Sequence, residues 1–305
     1  MIRNIFCQNL FILVFFLNIV CVFKSNCSDN KKIGISLLTR NHQFFLSLED
    51  GFKKEAAKQD VTLHIVSAEY NIRVQQAQIK DFLNKKMDAI IIIPCDSKAI
   101  GASIAEANKF KIPIFTVDIA NISSLGSVVC HISSDNLDGG KKAAELMARA
   151  INDTGKIVII SHPNVTSVSD RVYGFRQEIK KFPAIEIVAE VPCWGLRDRA
   201  MSVMEDILLN MPEIKGVFAI NDNSACGVLD AIKAAKLNLA IVSYDAIIPE
   251  VKQAIQEGKI YGAVVQYPEK IGVTTISIIC DYFKGKKIPS KILVPVGVKL
   301  KEEKN

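Results

Sequence analysis

No apolar run in this sequence is long enough to cross a bilayer. The longest, residues 10–23, is interrupted only by Asn18. As a helix it would rise about 21 Å, against a hydrocarbon core about 30 Å thick. Clustered positive charge is also missing. The net charge is +6, but the signs are mixed along helix-like stretches such as Lys53-Lys54-Glu55 and Lys301-Glu302-Glu303-Lys304, which excludes a nucleic-acid groove. The eight cysteines include no CxxC pair, and His42, His64, His131 and His162 stand far apart, so no metal centre is encoded. GxSxG, HExxH and GxxxxGK[ST] are absent, as is GxGxxG after a strand. Gly139-Gly140-Lys141-Lys142 lacks the spacing and the hydroxyl residue of a phosphate loop and reads as a helix start. No catalytic residue and no cofactor is therefore expected. Tryptophan occurs once, as Trp194.

What is present is a globular composition, 49% hydrophobic and 23% charged, over 305 residues. That length suits two domains, each with its own core. Arg3 followed by the short apolar run reads as an export leader over residues 1–30. Cys27, followed by Ser28 and Asp29, is a candidate for lipid modification. Cleavage, lipidation at Cys27 and an uncleaved anchor all place the remaining chain outside the cytoplasmic membrane, in the periplasm or cell envelope. Cys95, Cys130, Cys193, Cys226 and Cys280 are dispersed, several in apolar company, and read as buried thiols, with one disulfide left open.

From residue 33 short β-branched runs alternate with longer amphipathic ones. Strands are expected at 33–38, 61–67, 88–93 and 112–118, with helices at 44–59, 73–86 and 97–110. The alternation restarts near 131–134. Helices follow at 137–151, 169–182, 197–210, 225–235, 250–257 and 271–283, with strands at 156–161, 185–191, 216–221, 239–244 and 260–266. Such alternation predicts βαβ units and parallel sheets covered on both faces. The halves echo each other: Ala89-Ile90-Ile91-Ile92-Ile93 leads to Cys95-Asp96-Ser97, and Gly216-Val217-Phe218-Ala219-Ile220 leads to Asn221-Asp222-Asn223. The expected fold class is α/β, with two Rossmann-like lobes.

Polar residues gather at the carboxyl ends of these strands, where open α/β sheets bind ligands. Asp118 and Asp245 end strands in opposite halves, and a carboxylate can accept from two adjacent hydroxyls. Asn221 and Gln266 also end strands, and amides both donate and accept. Phe44-Phe45 follows the first strand, and Trp194 lies in Pro192-Cys193-Trp194-Gly195 just past another. Aromatic faces stack on the C–H face of a sugar ring. Each feature has a plainer reading: a lone strand-terminal aspartate is often a helix cap, and two phenylalanines often open a buried helix. The Asn-x-Ser/Thr triplets at Asn121, Asn152 and Asn164 carry little weight.

Four strings carry a family resemblance: residues 44–51 (FFLSLEDG), 131–136 (HISSDN), 217–222 (VFAIND) and 266–272 (QYPEKIG). Residues 32–300 resemble the periplasmic sugar-binding proteins of the ribose/galactose type, which have the type I periplasmic binding protein fold and are related to the ligand domains of lactose-repressor-type regulators. The resemblance implies a three-strand hinge with crossings near Ser134, Gln266 and Pro295. The first lobe would be 31–134 plus 267–294, and the second 135–266 plus 295–305. It implies that Phe44, Phe45 and Trp194 sandwich a sugar ring while Asp118, Asn221, Asp245 and Gln266 bond its hydroxyls. The partner implied is the membrane permease of an ABC importer, or alternatively the sensor ectodomain of a chemoreceptor or histidine kinase, with the chain itself a monomer.

Departures from the ribose pattern argue against naming the sugar. The arginine usual after the first-lobe aspartate is Ile119 here. The asparagine of the first loop aligns with His42, which joins the candidate contacts. A second ligand arginine aligns with Ser169, although Arg171 is close by. A monosaccharide, a sugar alcohol or another small polyol is expected, bound without being transformed. A lactose-repressor-like regulator would need a DNA-binding helix-turn-helix before the first strand, where residues 1–30 hold only the apolar leader.

Overall fold

The computed structural model describes residues 30–302. The expected leader with Cys7, Cys21 and Cys27 lies outside the described residues, apart from Asn30. The first lobe begins β1 (Lys32–Leu37), α1 (Gln43–Gln59), β2 (Thr62–Ser67), α2 (Ile72–Asn84) and β3 (Ala89–Ile92). It continues with α3 (Gly101–Lys109), β4 (Ile114–Val117) and β5 (Cys130–Ser134). The second begins α4 (Asn136–Ala150), β6 (Gly155–Ser161), α5 (Thr166–Glu178), a 3-10 turn at Ile179–Lys181, and β7 (Ile185–Pro192). It continues with α6 (Arg197–Asn210), β8 (Ile214–Ala219), α7 (Asp222–Ala234), β9 (Ala240–Asp245), α8 (Pro249–Gln256) and β10 (Gly262–Val265). The chain then returns through α9 (Pro268–Phe283), β11 (Lys291–Val294) and β12 (Gly297–Leu300).

Two six-stranded sheets result, ordered β11-β5-β4-β3-β1-β2 and β12-β10-β9-β8-β6-β7. Every neighbouring pair is parallel except β10 with β12, where Gly262 faces Leu300 and Val265 faces Gly297. The architecture is the two-lobed α/β fold expected, with this one antiparallel edge added. All residues of β3 and β4 are buried, as a doubly covered sheet requires. Alternation sorts them: Ile90 and Ile92 pack with Ile79, Phe82 and Leu83 of α2 and Ile104 of α3. Ala89 and Ile91 face the other way, toward Leu48 and Phe52 of α1 and Ile271 of α9. Fully burying one such side chain is worth about 1.5–3 kcal/mol.

Both lobes join two helices by glycine contacts. On α1 and α9, a Cβ at Gly51 would meet the Glu269 carbonyl, and one at Gly272 the Leu48 carbonyl. On α4 and α5, a Cβ at Gly140 would meet the Arg171 carbonyl, and one at Gly174 the Leu137 carbonyl. The echo between halves thus extends to how the helices approach. The chain passes between sheets after Ser134, after Val265 and between Val294 and Gly297. β11 joins β5, and β12 joins β10.

Several boundaries depart from the sequence expectation, and three of them bear on the cavity or its rim. α3 begins at Gly101 rather than 97, because the Asp96 carboxylate turns the chain by accepting from Lys98 N and Ala99 N. α5 begins at Thr166 rather than 169. Asn221 lies beyond β8 and is the N-cap of α7, its Oδ1 accepting from Ser224 N at 2.8 Å. Among the described residues no helix is long and apolar enough to cross a membrane, and no group of three histidine, cysteine or carboxylate side chains is placed to hold a metal ion.

Candidate functional site

The carboxyl ends of the parallel strands in both sheets face one another across a cavity. From the first lobe, the turn after β1 delivers His42 as the N-cap of α1, followed by Phe44 and Phe45 in its opening turn. The two rings meet edge to face at 5.1 Å. The residue after β4 is Asp118. From the second lobe, the turn after β7 delivers Trp194, α7 opens on Asn221, and β9 ends on Asp245. Gln266 follows β10 at a crossing. All eight side chains line this one cavity. Asp118, Trp194 and Asp245 each sit at positive φ, 61°, 60° and 89°. Non-glycine residues seldom adopt that backbone without a surrounding structure that enforces it, and such strain gathers at ligand clamps.

The buried polar atoms are unevenly satisfied. Asp245 Oδ1 accepts from Gln266 Nε2 at 2.5 Å and lies 3.6 Å from Arg171 Nη1. Asp245 Oδ2 lies 3.8 Å from His42 Nε2. Asp118 Oδ1 and Gln266 Oε1 are buried with no hydrogen-bond partner among the described residues. Burial pushes the Asp118 carboxyl up to about 6, with Arg171 opposing the shift and Asp245 adding to it. Burial also pushes the His42 imidazole below its ordinary value, against the pull of Asp245, so the ring is neutral at pH 7. Its Nδ1 accepts from Phe44 N at 3.2 Å, which leaves the proton on Nε2. That nitrogen is thus a donor, 3.4 Å from the donating Nδ2 of Asn221. Two donors at this distance do not satisfy each other, so both remain available to an acceptor between them. Asn221 Nδ2 also donates to Gly195 O at 3.3 Å.

Ser169, aligned with a ligand arginine by sequence, is exposed, and its Oγ bonds the Pro163 and Val165 carbonyls. Arg171, noted close by in the sequence, brings the guanidinium instead: it is 4% exposed and lines the cavity. Its Nε donates to Asn136 Oδ1 at 2.9 Å and its Nη1 to Ile220 O at 2.7 Å, while the guanidinium lies 3.9 Å over the Tyr244 ring. One sequence signal points to it: Val168, Arg171, Val172 and Phe175 share the buried stripe of α5, and an arginine in an apolar stripe needs buried partners. Tyr70 and His162 also line the cavity. His162 meets Trp194 edge to face at 5.5 Å, and burial pushes it down to about 4. Ile119 lines the cavity as an apolar wall.

Comparison with known proteins identifies the family. The family description "Periplasmic binding protein domain" matches residues 33–287. The ribose import binding protein of Salmonella typhimurium is 31% identical over 278 residues, covering 90% of this chain and 92% of that protein. An ABC transporter solute-binding protein from Agrobacterium vitis, bound to α-D-tagatopyranose, superposes with a TM-score of 0.84 at 26% identity, over 89% of this chain and 95% of that one. The Caulobacter myo-inositol-binding protein bound to myo-inositol superposes with a TM-score of 0.83 at 25% identity, over 90% and 94%.

Proposed function

The chain belongs to the periplasmic binding protein family, and on that premise we propose that it captures a neutral monosaccharide or polyol between its lobes and delivers it to the membrane permease of an ABC importer. The observation that carries this reading is the pair of unpartnered buried acceptors, Asp118 Oδ1 and Gln266 Oε1, lining the same cavity. A buried acceptor left unsatisfied costs about 1–3 kcal/mol. Ligand hydroxyls remove that cost, and Asp118 binds them through charge-assisted bonds. Arg171, the Nε2–H of His42 and the amide of Asn221 supply donors to ring and hydroxyl oxygens. Trp194, Phe44 and Phe45 cover the apolar face of the ring. With two carboxylates against one guanidinium, the polar lining disfavours anionic sugars.

Contacts to both lobes favour the closed arrangement, and closure is what the permease reads. The family is one of binding proteins rather than enzymes, so the ligand leaves as it arrived. Export through the leader sets this cleft outside the cytoplasmic membrane, with Cys27 as the residue a lipid anchor would use.

Mass spectrometry of small molecules released by denaturing the purified chain, followed by calorimetric titration with the sugar identified, tests the reading. Asp118→Ala should weaken binding at least tenfold, the worth of a charge-assisted hydrogen bond. It should not lower the melting temperature of the sugar-free chain, because it removes a buried carboxylate whose Oδ1 has no hydrogen-bond partner. An unchanged affinity, or failure to find any polyol that binds, refutes the assignment.

A further inference from the structure

The lobes touch at a second place, on the rim of the cavity and outside its lining. Thr166 opens α5 in the second lobe, and Val165, its N-cap, offers no side-chain bond. The cap comes from the other lobe: Ser97 Oγ, 2% exposed, accepts from Thr166 N at 3.1 Å. In the reverse direction, Thr166 Oγ1 accepts from Ala120 N at 2.7 Å. Ser97 N also donates to Asn164 O at 3.3 Å. All three bonds join loops after β3 and β4 to the loop after β6, so all three are made only while the lobes are closed. Ala120 lies two residues beyond Asp118, whose positive φ places its carboxylate at the cavity wall.

We propose that Thr166 and Ser97 form a closure latch, with Thr166 a positioning residue that holds the loop bearing Asp118 in its ligand-ready conformation without touching the ligand. An unsatisfied helix start and an unsatisfied loop amide, both in the open form, complete each other on closure. The latch therefore adds to the closed population, and apparent affinity scales with that population. It also braces, through Ala120 N, the loop that follows Asp118, whose own amide donates to Ile132 O within the first lobe. The inference rests on the ligand-capture reading, which the experiment tests separately.

The test titrates wild type, Thr166→Val, Thr166→Ser and Ser97→Ala with D-ribose, D-allose, D-arabinose and myo-inositol by calorimetry, follows release by stopped flow, and records small-angle scattering of each chain with and without sugar. For any of these sugars bound by wild type, Thr166→Val is expected to bind roughly five- to fiftyfold more weakly, mainly through faster release. Thr166→Ser, which keeps the accepting oxygen, stays within about twofold. Ser97→Ala loses roughly three- to tenfold. All three variants remain folded, with far-ultraviolet circular dichroism matching wild type. Wild-type affinity and release in Thr166→Val, or an equal loss in Thr166→Ser, overturns the latch while leaving ligand capture intact. Should wild type bind none of the four sugars, ligand capture fails for them, and the latch is read from the sugar-free chains. There Thr166→Val must show the larger radius of gyration, and equal radii overturn it.

Discussion

Sugar affinity is expected to fall about tenfold between pH 7 and pH 5, with Asp118 as the cause. Its carboxyl, ordinarily near 3.8, titrates at about 6 because burial disfavours the charged form. Hydroxyl donors need the ionised form. About nine-tenths of it is present at pH 7 and about one-tenth at pH 5, a difference of about 1.4 kcal/mol in apparent binding energy. The same shift sets the sign for the empty chain. Because the folded value lies above the unfolded one, the stability Asp118 contributes is full below about pH 4 and is lost as pH rises through about 6. Ligand binding thus gains, and the empty fold loses, over the same interval. Titration by Trp194 fluorescence at pH 5, 6, 7 and 8 reads the affinity. His162, near 4, does not titrate in this window, and burial pushes His42 in the same direction. Asp222, held up to about 7 by burial while it accepts from the amides of Ala246, Ile247 and Ile248, does titrate there. Asp118→Asn separates the two, since it must bind more weakly at pH 7 and lose most of the slope. A flat wild-type profile, or an undiminished slope in Asp118→Asn, refutes the reasoning.

Two further perturbations test the scaffold. Arg171→Met removes the donors to Asn136 Oδ1 and Ile220 O and leaves Asp245 without its guanidinium neighbour; thermal or denaturant unfolding should show a loss of about 3–5 kcal/mol alongside lost sugar binding. Gly51→Ala drives a methyl into the Glu269 carbonyl on α9 and should cost about 1–3 kcal/mol in the same measurement, with the cavity's pH profile unchanged.

The strand–helix alternation is readable because the central strands of a doubly covered sheet are apolar throughout, as the four buried residues of β3 illustrate. The convergence of Asp118, Asp245 and Gln266 was readable for a topological reason: carboxyl ends of parallel strands share one edge of a sheet. What escaped depended on partners remote in the chain. The start of α5 was misplaced by three residues because its capping oxygen belongs to Ser97, in the other lobe. Asn221 read as a strand residue because a strand's last residue and a helix's N-cap share an extended backbone, at φ −158° here. Alignment puts the family's arginine at Ser169, with Arg171 only close by, because alignment counts positions, whereas the stripe shared with Val168 and Phe175 decides which side chain points inward.

The interleaving of β11 and β12 bears on how the chain is made. Synthesis runs from the amino end, so five strands of the first sheet exist long before the sixth. Until Lys291–Val294 emerges, Cys130–Ser134 is an open edge offering unpaired amides and carbonyls to any passing strand. Whatever shields that edge on the nascent polypeptide competes with β11 alone, and a chain terminated ahead of residue 291 leaves both halves unfinished together.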